Sequence, residues 1–302
     1  MNLSELKNQG YEIYEKMPLS EVTFTKTGGP ADFVAFPKNR QQVEELVDLV
    51  KAQNIPLTVI GNASNLIIKD GGIRGLVMIL TRLVDITVDE KAQTVTADAG
   101  AAIIDTAFTA AHHSLSGLEF AAGIPGSVGG GVYMNAGAYD GEVKDCLKSA
   151  TVITRDGEIK TYDNQTMNFS YRHSYVQDTG DIVLSATFQL KEANKAEILA
   201  KMEDLNERRR NKQPLEYPSC GSVFKRPVGH FVGPMIIKAG LQGTMIGGAQ
   251  NSTKHAGFIV NKGGATATDY LNLIHLIQRV IKDKYDIDLE TEVRIIGEEP
   301  KD

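Results

Sequence analysis

The residues from Gly123 to Gly131 read Gly-Ile-Pro-Gly-Ser-Val-Gly-Gly-Gly and run on through Val-Tyr-Met to Asn135-Ala-Gly137, far more glycine than an ordinary turn needs. Glycine lets backbone approach a ligand with no Cβ in the way, and successive amides at a helix start form a site for phosphate oxygens. The competing reading of the same run is tight packing of a small-residue helix. A second loop, Gly61-Asn-Ala-Ser-Asn65, follows directly on a strand and offers small side chains, exposed amides and two polar groups, Ser64 and Asn65, suited to phosphate or ribose. Two such loops within the first 140 residues point to one long diphosphate-containing ligand.

The common nucleotide fingerprints do not account for them. No glycine run ends in the Lys-Ser or Lys-Thr pair of a P-loop, and Gly129 and Gly131 are followed by Met134 where the third glycine of G-x-G-x-x-G belongs. The chain holds 29 glycines in 302 residues, where average usage gives about 21. The surplus is clustered at 61–75, 117–141 and 240–264, so it belongs to particular loops.

Several elements must position these loops. Val43, Leu46, Val47 and Val50 share one helical face over 41–53, with Asn39 placed to cap it and Pro56 beyond its end. Pro56-Leu-Thr-Val-Ile60, Leu66-Ile-Ile68 and Leu76–Leu80 read as strands, as do Val84–Val88 and Thr94–Ala97. Ile103, Ile104, Ala107, Phe108 and Ala111 mark a second helix. Arg155-Asp-Gly157 reads as the turn of a hairpin, and Ile182–Leu190 as a further strand. A long helix is expected over Asn194–Lys212, with Ile198, Leu199, Met202 and Leu205 inward and a basic last turn, followed by the helix stop Gln213-Pro214. Tyr270, Leu273, Ile274, Ile277, Val280 and Ile281 mark another long helix, and Thr291–Ile296 a closing strand on which Glu292, Arg294 and Ile296 would share a face. The class is α+β, with the main boundary near the 194–212 helix.

Composition narrows the function. With 32 Lys and Arg against 38 Asp and Glu, the net charge is −6, which offers no whole-molecule attraction to nucleic acid or an anionic membrane. Cys146 and Cys220 lie far apart without metal-ligand or disulfide spacing, so each reads as a small buried side chain in a reducing compartment. The six histidines show no i, i+4 pairing, and no metal site is expected. Neither a membrane-length apolar run nor a signal-peptide pattern is present, so a cytoplasmic, soluble protein is expected; no protein partner is inferable.

The ordered set of motifs carries a resemblance. Thr27-Gly-Gly-Pro-Ala-Asp32, Pro56 to Asn65, Asp70-Gly-Gly-Ile-Arg-Gly75, Ala122-Gly-Ile-Pro-Gly-Ser-Val-Gly-Gly130, Phe169-Ser-Tyr-Arg172, Cys220-Gly-Ser-Val-Phe-Lys225, Ile246-Gly-Gly-Ala249 and Leu289–Gly297 together resemble the UDP-N-acetylenolpyruvoylglucosamine reductase (MurB) family. That family lies within the vanillyl-alcohol-oxidase-like, PCMH-type flavoproteins, and the chain resembles its shorter, type II branch. The resemblance implies a two-subdomain FAD-binding domain over residues 1–200, split near 82, and an α+β substrate-binding domain over 201–302. It implies noncovalent FAD, NADPH as electron donor and a nucleotide-sugar substrate whose enolpyruvyl ether is reduced to a lactyl ether in peptidoglycan precursor synthesis.

The resemblance also implies residue roles. The cofactor would be held by Gly61, Asn62, Ala63, Ser64, Asn65 and Leu66 in the first loop, and by Gly123, Ile124, Pro125, Gly126, Ser127, Gly129 and Gly130, with Asn135 and Gly137, in the second. Hydride addition at the methylene carbon leaves an enolate-like species, so the site needs positive charge at the substrate carboxylate and an acid at the adjacent carbon. Arg172, Ser222 and Glu292 match the family's catalytic arginine, proton donor and glutamate. Without the motifs, Arg172 reads equally as an ion-pair residue, Ser222 as a turn serine and Glu292 as a solvent-facing carboxylate. Substrate grip would fall to Tyr171, Tyr175, Arg208, Lys212, Lys225 and His255. Two positions depart from the family: Ala63 stands where a second loop glycine is usual, and Arg226 where asparagine is common. Another oxidoreductase on the same FAD scaffold and a nucleotide-sensing binding module remain alternatives; the intact Arg172, Ser222 and Glu292 set argues against both.

Overall fold

The computed structural model describes residues 3–139 and 141–300 and is a mixed helix and sheet protein of two units. The first comprises Met1–Glu15, Phe33–Asn62 and Gly75–Arg209; the second comprises Lys16–Asp32, Ala63–Arg74 and Arg210–Asp302.

In the first unit, the helix Arg40–Ala52 buries Val43, Leu46, Val47, Leu49 and Val50, and the Asn39 side chain accepts from the Gln42 amide at 3.0 Å, as the capping pattern requires. The parallel pair Leu57–Ile60 and Ile73–Ile79 belongs to a four-stranded sheet. A second, five-stranded sheet is antiparallel throughout, in the order Ile159–Asp163, Leu147–Ile153, Ile182–Gln189, Thr94–Asp98, Ile86–Asp89. The glycine-rich helix Val128–Tyr133 packs on the strand Ile182–Gln189. A Cβ at Gly129 would stand 2.9 Å from Ala99 Cβ, and one at Gly131 would stand 2.9 Å from Ile103 Cδ1, so close packing explains part of the glycine surplus. The long helix expected over Asn194–Lys212 is Lys195–Lys212, one residue shorter, with Ile198, Met202 and Leu205 buried.

In the second unit, an antiparallel sheet in the order Ser219–Ser222, Phe258–Asn261, Ala249–Asn251, Met245–Ile246 shares a core with the helix Ala267–Tyr285. Tyr270, Leu273, Ile274 and Ile277 from that helix meet Val223, Phe224 and Ile259 there. Leu66–Ile68 pairs in parallel with Arg294–Ile296, which brings residues 63–74 into this unit. The units are thus interleaved along the chain, whereas a single cut at residue 200 is the simplest sequence division. Glycines of the 240–264 cluster serve turns and helix capping here: Gly247 has φ +50, and Asp269, which closes a capping box with Thr266, also accepts from the Gly248 amide. Among the described residues no helix is long and apolar enough to cross a membrane. Both cysteines are free and buried, and burial pushes their thiols up to about 12.

Candidate functional site

The two glycine loops meet within the first unit. A Cβ on Gly61 would collide with Ser127 Oγ, and Asn62 Nδ2 donates to the Pro125 carbonyl at 3.0 Å, so the strand end and the second loop close on each other through small groups. The helix start differs from expectation. The amides of Val128, Gly129, Gly130 and Gly131 donate to Ala101 O, Ala99 O, Ser127 Oγ and Ser127 O, so they are spent inside the protein and are not left for phosphate. What the loop presents instead is the face at Gly123, where a Cβ would lie 2.5 Å from Asn206 Oδ1 and 3.0 Å from Arg209 Nε.

Beyond the helix, Asn135 is fully buried at φ +43 and ties three segments together. Its Nδ2 donates to Glu142 Oε2 at 2.9 Å and to Ser170 O at 3.0 Å, and its Oδ1 accepts from the Lys144 amide at 2.9 Å. Asn135 therefore fixes the turn that carries Arg172. Ser170 and His173 close that turn by exchanging backbone hydrogen bonds, and Arg172 sits in it at φ +58, a left-handed conformation that arginine rarely adopts. Gln177 Nε2 holds the Arg172 carbonyl at 3.1 Å, while the guanidinium reaches Gly137 O at 3.3 Å and lies 5.0 Å from the centre of the exposed Tyr171 ring. Tyr175 opens a short helix and packs edge-on against Tyr162, with ring centroids 5.6 Å apart.

The remainder of the first loop belongs to the second unit, where it meets other motif residues. Asn65 Nδ2 donates to the Glu292 carbonyl at 3.2 Å, Asn65 O accepts from the Arg294 amide at 3.0 Å, and Leu66 pairs with Arg294. The pairing of Ser219–Ser222 with Phe258–Asn261 slips between Ser219↔Val260 and Ser222↔Phe258, so three steps on one strand match two on the other. Gly221, at φ +77, takes up the extra residue, a bulge that turns Ser222 while Cys220 stays in the core.

Immediately after it, Val223 O accepts from the Glu292 amide at 2.7 Å and the Val293 amide at 3.3 Å. The closing strand is therefore only Arg294–Ile296, and Glu292 stands in the bend before it rather than on a strand face, a correction to the alternation expected from Thr291 onward. Two consecutive amides converging on one carbonyl are incompatible with regular ladder pairing at that point. Ser222 and Glu292 are both half-buried. Lys225 joins them through its amide on Glu290 O at 2.9 Å, and its Nζ pairs with Glu290 Oε2 at 3.1 Å. His255 lies on the loop beside them. The Gly257 amide donates to its Nδ1 at 3.2 Å, which leaves Nε2 as the protonated nitrogen, and burial holds the ring below its ordinary pKa. The Gly257 carbonyl in turn accepts from Val223 N.

Ala63 lies at φ +48, the conformation for which the usual glycine is suited. Ala63→Gly is expected to leave stability within about 1 kcal/mol, since relief of ~1–2 kcal/mol of left-handed strain offsets glycine's greater unfolded freedom. Ala63→Val should lower the melting temperature, because a β-branched side chain tolerates positive φ worst. Thermal melts of both variants check this. Arg226, the other departure, stacks its guanidinium 3.8 Å from the centre of the Phe231 ring.

The basic helix end separates by phase. Arg208 is exposed and pairs with Asp204 at 2.7 Å, and Lys212 is exposed, whereas Arg209 is buried. The signal that picks out Arg209 is the series 198, 202, 205, 209, one helical face whose first three members were read as core.

Known proteins resemble this chain over nearly its whole length. The family described as FAD binding domain matches residues 31–163, and the one described as UDP-N-acetylenolpyruvoylglucosamine reductase, C-terminal domain, matches residues 213–296. UDP-N-acetylenolpyruvoylglucosamine reductases of Lactobacillus helveticus and Lactobacillus acidophilus are each 71% identical over 299 residues, covering 99% of this chain and 100% of theirs. The crystal structure of the reductase (MurB) from Thermus caldophilus superposes with a TM-score of 0.80 at 34% identity, covering 94% of this chain and 98% of that one. The chain belongs to the UDP-N-acetylenolpyruvoylglucosamine reductase family.

Proposed function

We propose that this protein uses NADPH to reduce the enolpyruvyl ether of UDP-N-acetylglucosamine to the lactyl ether of UDP-N-acetylmuramate, in the cytoplasm, for peptidoglycan precursor synthesis. In this reading the first unit holds FAD and the second holds the nucleotide-sugar. The observation that carries it is the junction at Val223, where the backbone draws Glu292 to the residue after Ser222 and the bulge at Gly221 turns the serine.

The first unit's loops fit the cofactor. The Gly61 and Ser127 segments close on each other with no side chain between them, and a buried guanidinium with an unpaired Nε lies beside Gly123. Gly61, Asn62 and the segment from Gly123 to Ser127 would hold it. Bound FAD supplies the hydride that saturates the enolpyruvyl double bond.

The residues of this chain do the rest. Addition at the methylene carbon throws negative charge onto the adjacent carbon and the substrate carboxylate. Ser222 delivers its hydroxyl proton to that adjacent carbon. Arg172 offers a planar fork to the carboxylate, and the tight turn and the Gln177 hydrogen bond hold its backbone for that task. Glu292, drawn to the residue after Ser222, acts with Arg172 in stabilising the enolate-like intermediate. Lys225 and His255 Nε2–H supply donors to the nucleotide-sugar, with Tyr171, Tyr175, Arg208 and Lys212 as further contacts.

The test is a pair of half-reactions on the FAD-loaded protein. NADPH should bleach the yellow cofactor without air, and UDP-N-acetylglucosamine enolpyruvate should restore the colour with formation of UDP-N-acetylmuramate. Failure of either step overturns the proposal. Glu292→Gln should lower kcat with little change in KM; an effect confined to KM would recast Glu292 as a binding residue.

A further inference from the structure

We infer that Arg209 is a binding residue for an anionic group of the flavin nucleotide, a role that rests on the proposed use of FAD by the first unit. Four observations within that unit converge on it. Arg209 is only 8% exposed, and its Nε is buried without a hydrogen-bond partner. No carboxylate among the described residues pairs with it; its polar neighbour is the neutral Tyr139, which hydrogen-bonds to the guanidinium and whose ring centroid is 6.0 Å from the guanidinium carbon. The guanidinium lies against Gly123 in the loop 122–126, where any Cβ would crowd it. Burial also pushes its pKa down from the ordinary arginine value, the mark of a cation that has lost water and gained no counter-charge.

A buried cation without a counter-ion is costly unless something compensates it. Cation–π contact offsets part of that cost, and an anion reaching Nε would offset more, because charge-assisted hydrogen bonds to guanidinium are among the stronger ones. The neighbouring cations give the contrast. Arg208 already has Asp204, and Arg74, whose buried Nε also lacks a hydrogen bond, has Glu298 Oε2 3.5 Å from that Nε and Asp32 2.7 Å from Nη1. Two anionic groups of the same ligand have this chemistry: the diphosphate, present in every redox state, and the ring locus that becomes negative on reduction.

The experiment measures FAD binding to the deflavinated full-length protein, by flavin fluorescence, and the midpoint potential of the reloaded protein. It compares wild type, Arg209→Met and Arg209→Lys. If the diphosphate is held, Arg209→Met weakens binding of oxidised FAD about 10- to 100-fold. If the reduced ring is held, oxidised FAD binds as before and the potential falls by about 30 mV for each tenfold loss in affinity of the reduced form. Arg209→Lys keeps the charge without the planar fork and should fall between the two proteins, which keeps the test open should Arg209→Met fold poorly. Native circular dichroism with unchanged FAD affinity and unchanged potential in both variants would overturn the inference. A wild-type protein that takes up no FAD would overturn the parent reading instead.

Discussion

Ser222→Ala is expected to leave bleaching of the cofactor by NADPH unchanged and to slow its reoxidation by UDP-N-acetylglucosamine enolpyruvate by ~10²- to 10⁴-fold, the range that positioned general acids contribute. The two half-reactions separate because only the second needs a proton at carbon. The fold should survive, since the position of residue 222 is set by the slipped pairing with Phe258 and the positive φ of Gly221, neither of which involves the hydroxyl. Val223 would still gather the Glu292 and Val293 amides, so Glu292 would keep its place. Stopped-flow absorbance of the pre-reduced variant reads the effect directly. Reoxidation at the wild-type rate would remove Ser222 from the chemistry and leave it as the turn residue that its Gly-Ser setting otherwise suggests.

Asn135→Ala should cost about 3 kcal/mol of stability, and most of the substrate-dependent rate along with it. Truncation strands the partly buried Lys144 amide, at ~1–3 kcal/mol for a group left unpaired, and takes one donor each from Glu142 Oε2 and from Ser170 O, which keeps the His173 amide. It also places alanine at φ +43, where the amide side chain of asparagine is better tolerated. The consequence for rate runs through Ser170, which begins the turn that holds Arg172. Asn135→Asp is the companion variant. It keeps shape and the acceptor for Lys144, but it can no longer donate and sets a second carboxylate against Glu142. Urea melts should rank wild type above both variants. Wild-type stability in Asn135→Ala would contradict the network.

The parts that were legible in the sequence are those governed by local periodicity and capping. The Arg40–Ala52 helix with its Asn39 cap, the Ile103–His112 helix and the hairpin around Gly157 follow from side chains within a few residues of one another. The mixed α and β class follows from those elements, and the FAD binding domain and the family follow from ordered motifs. What was not legible depends on distant partners. The helix start at Val128 looked open to phosphate because nothing near it in sequence shows that Ala99 and Ala101 take its amides. Thr291–Ile296 looked like one strand because its alternation is regular, yet Val223 bends its first half. The basic run offered Arg208 and Lys212 by charge alone, while helical phase buries Arg209. Asn135 read as a ligand residue, but its side chain is engaged with Glu142, Ser170 and Lys144.

The parallel pairing of Leu66–Ile68 with Arg294–Ile296 has a consequence for biosynthesis. Its first registered pair, Leu66 and Arg294, is separated by 294 − 66 = 228 positions, so the strand laid down first must wait for the intervening residues to be translated. Chain entropy grows slowly with loop length, by about 0.6 kcal/mol per doubling. Timing therefore matters more than energy. While the ribosome is still adding residues 69–293, Ile67 and Ile68, both fully buried in the finished protein, lack the strand that pairs with them. A nascent chain arrested before Arg294 would keep that apolar edge open to chaperones and to other unfinished chains.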